Sequence, residues 1–431
     1  MNLSRFTKHA FVRNALSLYG IQVASYVLPL LTFPYLARVL GKEKFGLIAW
    51  SQAFVGYFLT VTEYGFNFSV VRKIAVSRDD PHQLNRTYTS AMAARFLLML
   101  GSLAVMTAAV FLTPQFRAEW PLFYINFLTV VGTALFPQWL FQGLERMGFI
   151  TVREIGARVL GLCFVFILVR TSQDYLWAAA IMSGSTAIGG LIGLLYVEKL
   201  TKVRFTRTSW PEIWHVLREG WHVFLSTAAI SVYTKSNIVI LGLVAKEAEV
   251  GVFAAAMRLV EAAKLLVFPM TNSLYPYVSR LGRPEALAFI RKSLPRVILP
   301  FTAISIGLGV LAPLGIHILF GRKYDEAIPL LRIMSPTPLI VAAGACFATL
   351  FMLALGYKKQ WSNMIISASV FNFLALVPLL YLTRPSYAVA ITSVLVEAFV
   401  TVFSYTFYRR NSSVPFHDPD ITYGARVAEG K

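Results

Sequence analysis

The chain has 431 residues, 57% of them hydrophobic, with a mean hydropathy of +0.62 and a formal net charge of +19. So apolar a composition excludes a soluble protein of this length and leaves a chain that crosses a membrane many times. Two cysteines, Cys163 and Cys346, both inside apolar runs, exclude a disulfide framework and a paired metal-ligand spacing.

Met1 to Asn14 carries Arg5, Lys8 and Arg13 ahead of an apolar run that continues past the length of a signal-peptide core. No small-residue cleavage site follows, so an uncleaved first span is expected. Runs long enough to cross a bilayer lie near 15–37, 46–71, 88–112, 120–143, 150–169, 175–197, 220–244, 250–280, 296–319, 327–355, 361–382 and 386–408. That makes twelve spans of an all-α polytopic protein, with connections of about 22 residues at most, too short for a soluble domain. Of the 40 Lys and Arg, 25 fall in loops on the side that bears both termini, nine in the alternate loops and six within spans. This asymmetry predicts cytoplasmic termini. It also explains the basic excess as a topology signal and a contact with anionic membrane lipids, so nucleic acid is not required as a partner.

The segment from Glu198 to Gly220 divides the chain into a first bundle over 1–200, a linker over 201–219, a second bundle over 220–410 and a tail over 411–431. Within the linker, Ser209-Trp210-Pro211-Glu212 has the spacing of a capping box with proline in the first turn. Trp214, Leu217 and Trp221 follow at helical spacing and predict a short helix lying at the headgroup level. At an offset of 205 residues Arg13 pairs with Arg218, Gly46 with Gly251, Arg78 with Arg283 and Arg86 with Arg291. A duplicated unit of six spans implies a two-fold relation about an axis along the membrane normal. Pro29 and Pro34, Pro137, Pro269 and Pro276, and Pro336 and Pro338 interrupt spans as kinks or hinges. Gly189 and Gly193 form a GxxxG spacing that predicts close helix packing.

The eighth run, Val250 to Leu281, is apolar enough to span and yet carries Arg258, Glu261 and Lys264 along its middle. At 100° per residue the three share a third of the circumference, and Asn272, Tyr275 and Ser279 continue the stripe. This is the pattern of a membrane helix with a wet face. Glu261 stands three residues from each cation, so internal pairing is also available. Over all the spans Arg95, Arg158, Lys235, Arg258, Lys264 and Arg332 outnumber Glu63, Glu261 and Glu397, where each isolated charge costs roughly 2.5–3.5 kcal/mol. A cationic cavity favours an anionic cargo such as a phosphate or pyrophosphate, for which Arg offers a bidentate fork and Lys a point charge. Arg95, Arg158 and Arg332 lie near span ends, where reaching out to headgroups is the competing account. Glu397 has no cation within four residues in sequence and must find a partner on another helix or be neutral.

No cofactor is implied. A phosphate loop of the Walker type is missing, so no ATP hydrolysis is expected, and Gly307-Leu308-Gly309 with Ala312 sits in an apolar span without the strand that a dinucleotide fingerprint requires. Asp79-Asp80 could hold a metal, but Asp80-Pro81-His82-Gln83 has the form of a helix cap, and the cap is the reading taken. The six histidines show no ligand spacing; His317 alone lies in a span, near its outer end, as a packing residue.

Two stretches carry a resemblance. Leu40-Gly41-Lys42-Glu43-Lys44-Phe45-Gly46-Leu47, continuing to Glu63-Tyr64-Gly65-Phe66 and Val71-Arg72-Lys73-Ile74-Ala75, resembles the second-span signature of bacterial polysaccharide flippases of the Wzx, O-antigen type. Pro137-Gln138-Trp139-Leu140-Phe141-Gln142-Gly143-Leu144-Glu145-Arg146-Met147 is similar to that family's pattern at the end of the fourth span. The second half matches chiefly by hydropathy and by Leu355-Gly356-Tyr357-Lys358-Lys359. The resemblance implies the fold of the multidrug/oligosaccharidyl-lipid/polysaccharide (MOP) exporters, two six-helix bundles around a central cavity. It also implies a cargo, an undecaprenyl-pyrophosphate-linked oligosaccharide, turned over in the bacterial cytoplasmic membrane with H⁺ or Na⁺ as coupling ion and a polysaccharide polymerase and chain-length proteins as partners. On that reading Arg258 and Lys264, helped by Lys235, Arg95, Arg158 and Arg332, attract the pyrophosphate, and Glu261, Glu397 or Glu63 takes the coupling ion. The rivals are a multidrug exporter of the same fold, expected to show an anionic cavity, and a membrane-embedded glycan polymerase or transferase, expected to show clustered carboxylates and histidines.

Overall fold

The computed structural model describes the backbone of residues 3–412 and the side chains of residue 28 and of residues 30–412. Pro29 and the tail beyond residue 412 therefore lie outside the described side chains. The helices in chain order are α1 (Leu3–Glu63), α2 (Phe66–Val76), α3 (Pro81–Leu112), α4 (Pro114–Ala118), α5 (Trp120–Leu135), α6 (Gln138–Gly143), α7 (Met147–Leu168), α8 (Tyr175–Thr201), α9 (Trp210–Val244), α10 (Glu247–Lys264), α11 (Val267–Val278), α12 (Arg283–Val310), α13 (Ala312–Leu319), α14 (Ala327–Met334), α15 (Thr337–Phe347), α16 (Lys358–Leu382) and α17 (Pro385–Ser412). Among the described residues nine helical stretches are long and apolar enough to cross a membrane. The twelve expected runs and these nine stretches differ at three places. The first and second share one stretch beginning at Leu30, α7 carries Arg153, Glu154 and Arg158, and α10 carries Arg258, Glu261 and Lys264.

Local chemistry sets most helix ends. The hairpin between the first two spans is made at Gly41 alone, at φ 76°, a left-handed conformation that glycine adopts without a Cβ penalty. Pro34, by contrast, leaves α1 helical around it, so the break in this helix is a glycine effect. Asp80 caps α3, accepting from the backbone N–H of His82 at 2.9 Å and of Gln83 at 3.2 Å, with Pro81 at the first helical position. Phe136, ahead of Pro137, is extended and ends α5, because the proline ring disfavours a helical residue before it. The capping box at Ser209 forms, but the separate surface helix does not. Nothing between Trp210 and Val244 breaks the helix, so α9 runs from the linker straight into the seventh span. Arg86 on α3 pairs with Glu212 in its first turn, while Trp210, Trp214 and Trp221 stay exposed and Leu217 is buried.

Glycines mark the close crossings. The GxxxG pair does not meet a helix backbone: a Cβ at Gly189 would touch Arg153 Nε at 3.4 Å and one at Gly193 the Phe136 ring at 2.4 Å. The backbone approach in that region falls on Gly190, where a Cβ would lie 2.1 Å from the Gly132 carbonyl oxygen. Gly46 and Gly251 face each other. A Cβ at Gly46 would lie 2.0 Å from the Glu247 carbonyl oxygen and one at Gly251 2.0 Å from that of Lys42. Lys42 and Glu247 are themselves 205 residues apart, so at this crossing the contact reads the same from either helix.

The cores divide unequally between the two ends of the molecule. At the Gly41 end one cluster joins both halves, with Phe45, Ile48, Trp50 and Phe123 packed together with Phe253, Phe320, Tyr324 and Leu330. Polar ties reinforce it: Lys42 pairs with Glu326 at 3.0 Å, Arg38 Nε donates to the Leu319 carbonyl at 2.9 Å, and Trp50 Nε1 donates to the Val239 carbonyl at 3.0 Å. At the Ser77 end the buried apolar residues separate. One cluster holds Phe66, Tyr88, Trp139 and Phe141 of the first half with Val216 and Leu217 from the start of α9; another holds Ile290, Phe351, Met364 and Tyr408 of the second half. The halves are sealed at one end and joined at the other chiefly through α9.

Candidate functional site

The eighth span is broken in its middle. Pro269 lacks the N–H that would bond to the Leu265 carbonyl, and its ring crowds that carbonyl, so the helix stops at Lys264 and restarts at Val267. At the break lies a cavity of about 790 Å³. Leu30, Phe33 and Pro34 of α1, Leu319 and Phe320 at the end of α13, and Val341 and Ala345 of α15 give it apolar walls, while Arg258, Glu261, Lys264, Thr271 and Thr349 supply the polar groups.

These charges are paired across the fold in a way the spacing alone left open. Glu261 takes Arg258, Nη1 to Oε2 at 3.3 Å, and the guanidinium lies over the Phe33 ring with its carbon 3.7 Å from the centroid. Lys264 instead reaches Glu397 on α17, Nζ to Oε1 at 2.6 Å. Glu397 thus finds its partner on another helix, as its isolation in sequence requires. The pairs are only partly shielded, with the Arg258 and Lys264 side chains each 30% exposed, so a ligand entering the cavity meets both cations.

The remaining candidates lie elsewhere. Lys235 Nζ donates to the Gly56 carbonyl at 2.6 Å and to Thr60 Oγ1 at 3.1 Å, tying the seventh span to the second. Tyr57 with Ser236 at 2.9 Å and Thr60 with Ser231 at 3.0 Å continue that seam. Arg95 is 3% exposed and does not reach headgroups; its Nη1 donates to the Phe136 carbonyl at 2.9 Å, while Nε has no hydrogen-bond partner. Glu63 closes α1 within electrostatic range of Arg95, Lys235 and Glu154. Arg158 pairs with Glu154 at 3.4 Å, and Arg332 is exposed on α14, outside the cavity. His317 sits 2.7 Å from Asp325, a polar pair and not an apolar contact.

The structure brings together Arg258, Glu261, Lys264 and Glu397 and leaves Glu63, Arg95, Arg158 and Lys235 in or beside the first half. Arg153 and Glu154, within the expected fifth run but not among the charges weighed there, lie inside α7 as a close pair. Arg158, the i, i+4 neighbour of Glu154, is the signal in the sequence that this turn is helical. The charge balance shifts accordingly. The four groups at the eighth-span cavity cancel, and the cationic excess of the described spans stands in the first-half cluster with Lys235 and on exposed Arg332.

Known proteins share this chain's features at two levels. Residues 11–282 match the family described as polysaccharide biosynthesis protein. A putative O-antigen transporter of Escherichia coli (strain K12) is 33% identical over 402 residues, covering 93% of this chain and 97% of that protein. A putative O-antigen transporter of Shigella dysenteriae is 29% identical over 369 residues, 86% of this chain and 93% of that one. Among solved structures, the lipid II flippase MurJ in an inward closed conformation superposes with a TM-score of 0.69 at 12% identity, over 92% of this chain and 87% of that one. An inward-facing multidrug resistance MATE family transporter of the MOP superfamily gives 0.65 at 15% identity, over 89% and 94%. The structural likenesses carry the fold; the sequence matches carry the family, and the chain belongs to the polysaccharide biosynthesis protein family.

Proposed function

We propose that this protein moves an undecaprenyl-pyrophosphate-linked oligosaccharide from the inner to the outer leaflet of the bacterial cytoplasmic membrane. The observation that carries the reading is the cavity at the broken eighth span, where apolar walls meet the Arg258–Glu261 pair and Lys264 in one space. A lipid-linked pyrophosphate needs both surfaces at once: hydrocarbon contact for its chain and Arg and Lys donors for its phosphates. The names of the two O-antigen transporter relatives and the lipid II flippase of like fold support the same cargo class.

The ion pairs suggest how coupling works. While Glu397 is ionised it holds the Lys264 ammonium; a proton or Na⁺ taken by that carboxylate releases the ammonium to a cargo phosphate. Binding of cation and of anionic cargo then favour each other by linkage. We read the architecture as twelve spans in two six-helix bundles, 1–200 and 220–410, joined by the 201–219 linker and followed by the 411–431 tail. The sealed Gly41 end then faces outward and the divided end faces the cytoplasm, the arrangement for loading cargo. A polymerase and chain-length proteins would receive the product. A reporter fused after Tyr408 is expected to be active in the cytoplasm; activity only in the periplasm would overturn this orientation.

A multidrug exporter is the second reading, because the likeness to MATE structures covers 89% of the chain. It predicts a cavity suited to cationic drugs, which Arg258 and Lys264 oppose. The decisive experiment is surface glycan display with membrane abundance measured in parallel. Arg258→Ala is expected to lower display by about tenfold or more at near wild-type abundance, while Arg258→Lys keeps part of it, since charge survives and the bidentate fork does not. Loss of protein in step with loss of glycan would reduce Arg258 to a structural ion pair.

A further inference from the structure

On the flank of the first half, away from the eighth-span cavity, a groove of about 710 Å³ runs between α7 and α8. Its walls are nearly all apolar, with Phe149, Leu160 and Leu168 on α7 and Trp177, Ile188 and Tyr196 on α8 among them. From Phe149 to Leu168 it follows nineteen helical steps, about 29 Å, the hydrocarbon thickness of a bilayer. Glycines keep the floor open. A Cβ at Gly156 or at Gly184 would meet nothing within 4 Å.

The groove has a basic end. Lys199 and Lys202 lie exposed beside its Leu200 and Tyr196 end, and Lys199 Nζ stands 5.4 Å from the centroid of the Tyr196 ring that lines the groove. Arg204 next to them is paired with Glu198 at 2.6 Å, whereas Lys199 and Lys202 have no carboxylate partner among the described residues. An apolar groove as long as the membrane core is thick, with ammonium groups free of carboxylates at one end, matches one kind of ligand: a single long hydrocarbon chain with a phosphate at its end.

We propose that this groove is a binding site for the polyisoprenoid chain of a polyprenyl phosphate, with the phosphate held by Lys199 and Lys202. The inference rests on the reading that the cargo is polyprenyl-linked, and it adds a second place where that lipid is held, outside the eighth-span cavity. An ordinary acyl chain covers one leaflet, about half of the 30 Å core, so phospholipid fills the groove only with two molecules, one from each leaflet, where a single polyisoprenoid chain suffices.

The test uses the full-length protein in phosphatidylcholine nanodiscs with either undecaprenyl phosphate or phosphatidylglycerol added, and retained lipid counted by native mass spectrometry. Wild type is expected to retain undecaprenyl phosphate about tenfold better than phosphatidylglycerol. Gly156→Leu and Gly184→Leu each place a Cβ in open space, extend into the groove and raise helix propensity, so they should lower retention about tenfold with no fall in melting temperature. Lys199→Ala with Lys202→Ala should lower it severalfold. Equal retention of phosphatidylglycerol, or wild-type retention by both leucine variants, overturns the proposal and leaves a groove filled by bulk lipid. If the leucine variants prove unstable, quenching of Trp177 fluorescence by brominated phosphatidylcholine decides in the wild type: undecaprenyl phosphate must relieve the quenching, and failure to do so overturns the proposal. The cargo reading fails by a different result, normal glycan display in Arg258→Ala and Lys264→Ala, whatever the groove binds.

Discussion

Lys264→Ala is expected to abolish glycan display while leaving a substantial part of the protein in the membrane. Lys264 lines the cavity; its partner Glu397 does not, and is 16% exposed on α17 with no other ion-pair partner among the described residues. Removing one member of a fully buried pair costs about 3–5 kcal/mol. The 30% exposure of Lys264 brings the expected loss of stability nearer to about 2 kcal/mol. The charge-swapped double variant, Lys264→Glu with Glu397→Lys, separates fold from function. It restores the pair, and so the abundance, but moves the ammonium out of the cavity wall, so transport stays lost. Recovery of transport in the swap would reduce the pair to a strut. Glu397→Gln asks the companion question: if transport and its dependence on the ion gradient survive, the carboxylate carries no coupling ion.

Gly251→Leu is expected to abolish transport by a different route. At the sealed end a Cβ on this residue would stand 2.0 Å from the Lys42 carbonyl oxygen and 3.2 Å from the Gly46 nitrogen, both backbone atoms that no rotamer change moves away. The two helices must part by more than about 1 Å, since unbonded carbon and oxygen atoms keep about 3.3 Å or more between them. The large apolar cluster and the Lys42–Glu326 bridge at that end then open. Gly46→Leu should behave alike, because its Cβ would meet the Glu247 carbonyl oxygen at the same distance. A cross-link between Lys42→Cys and Glu247→Cys should form in the parent protein and fall by about tenfold or more when Gly251→Leu is added, since a disulfide tolerates little change in Cα separation. Unchanged cross-linking with unchanged transport would show that the crossing can repack, and that it gates nothing.

Much of this molecule was legible in the residues. Hydropathy located the helices because a lipid solvent demands internally satisfied backbone, which allows only long apolar helices among non-barrel structures. The Asp80 and Ser209 caps followed from spacing because their hydrogen bonds close within four residues. Gly46 and Gly251 were legible as a repeat, although that they touch each other was not. The reading of a separate short helix from Ser209 through Trp221 failed because a cap marks where a helix begins and says nothing of where it ends.

The charged constellation shows the limit most clearly. Sequence by itself determined that Arg258, Glu261 and Lys264 share one helix face and that Glu397 lacks a local partner, since those are consequences of helical period and apolar context. Only the tertiary structure decided that Lys264 belongs to Glu397, that Arg258 lies on Phe33, and that Lys235 and Arg95 spend their donors on the backbone of other helices. The physical reason is one of range. Period and propensity act over a few residues, whereas a buried charge takes whatever acceptor the packing brings within about 3 Å, and here those acceptors stand 41 to 179 residues away.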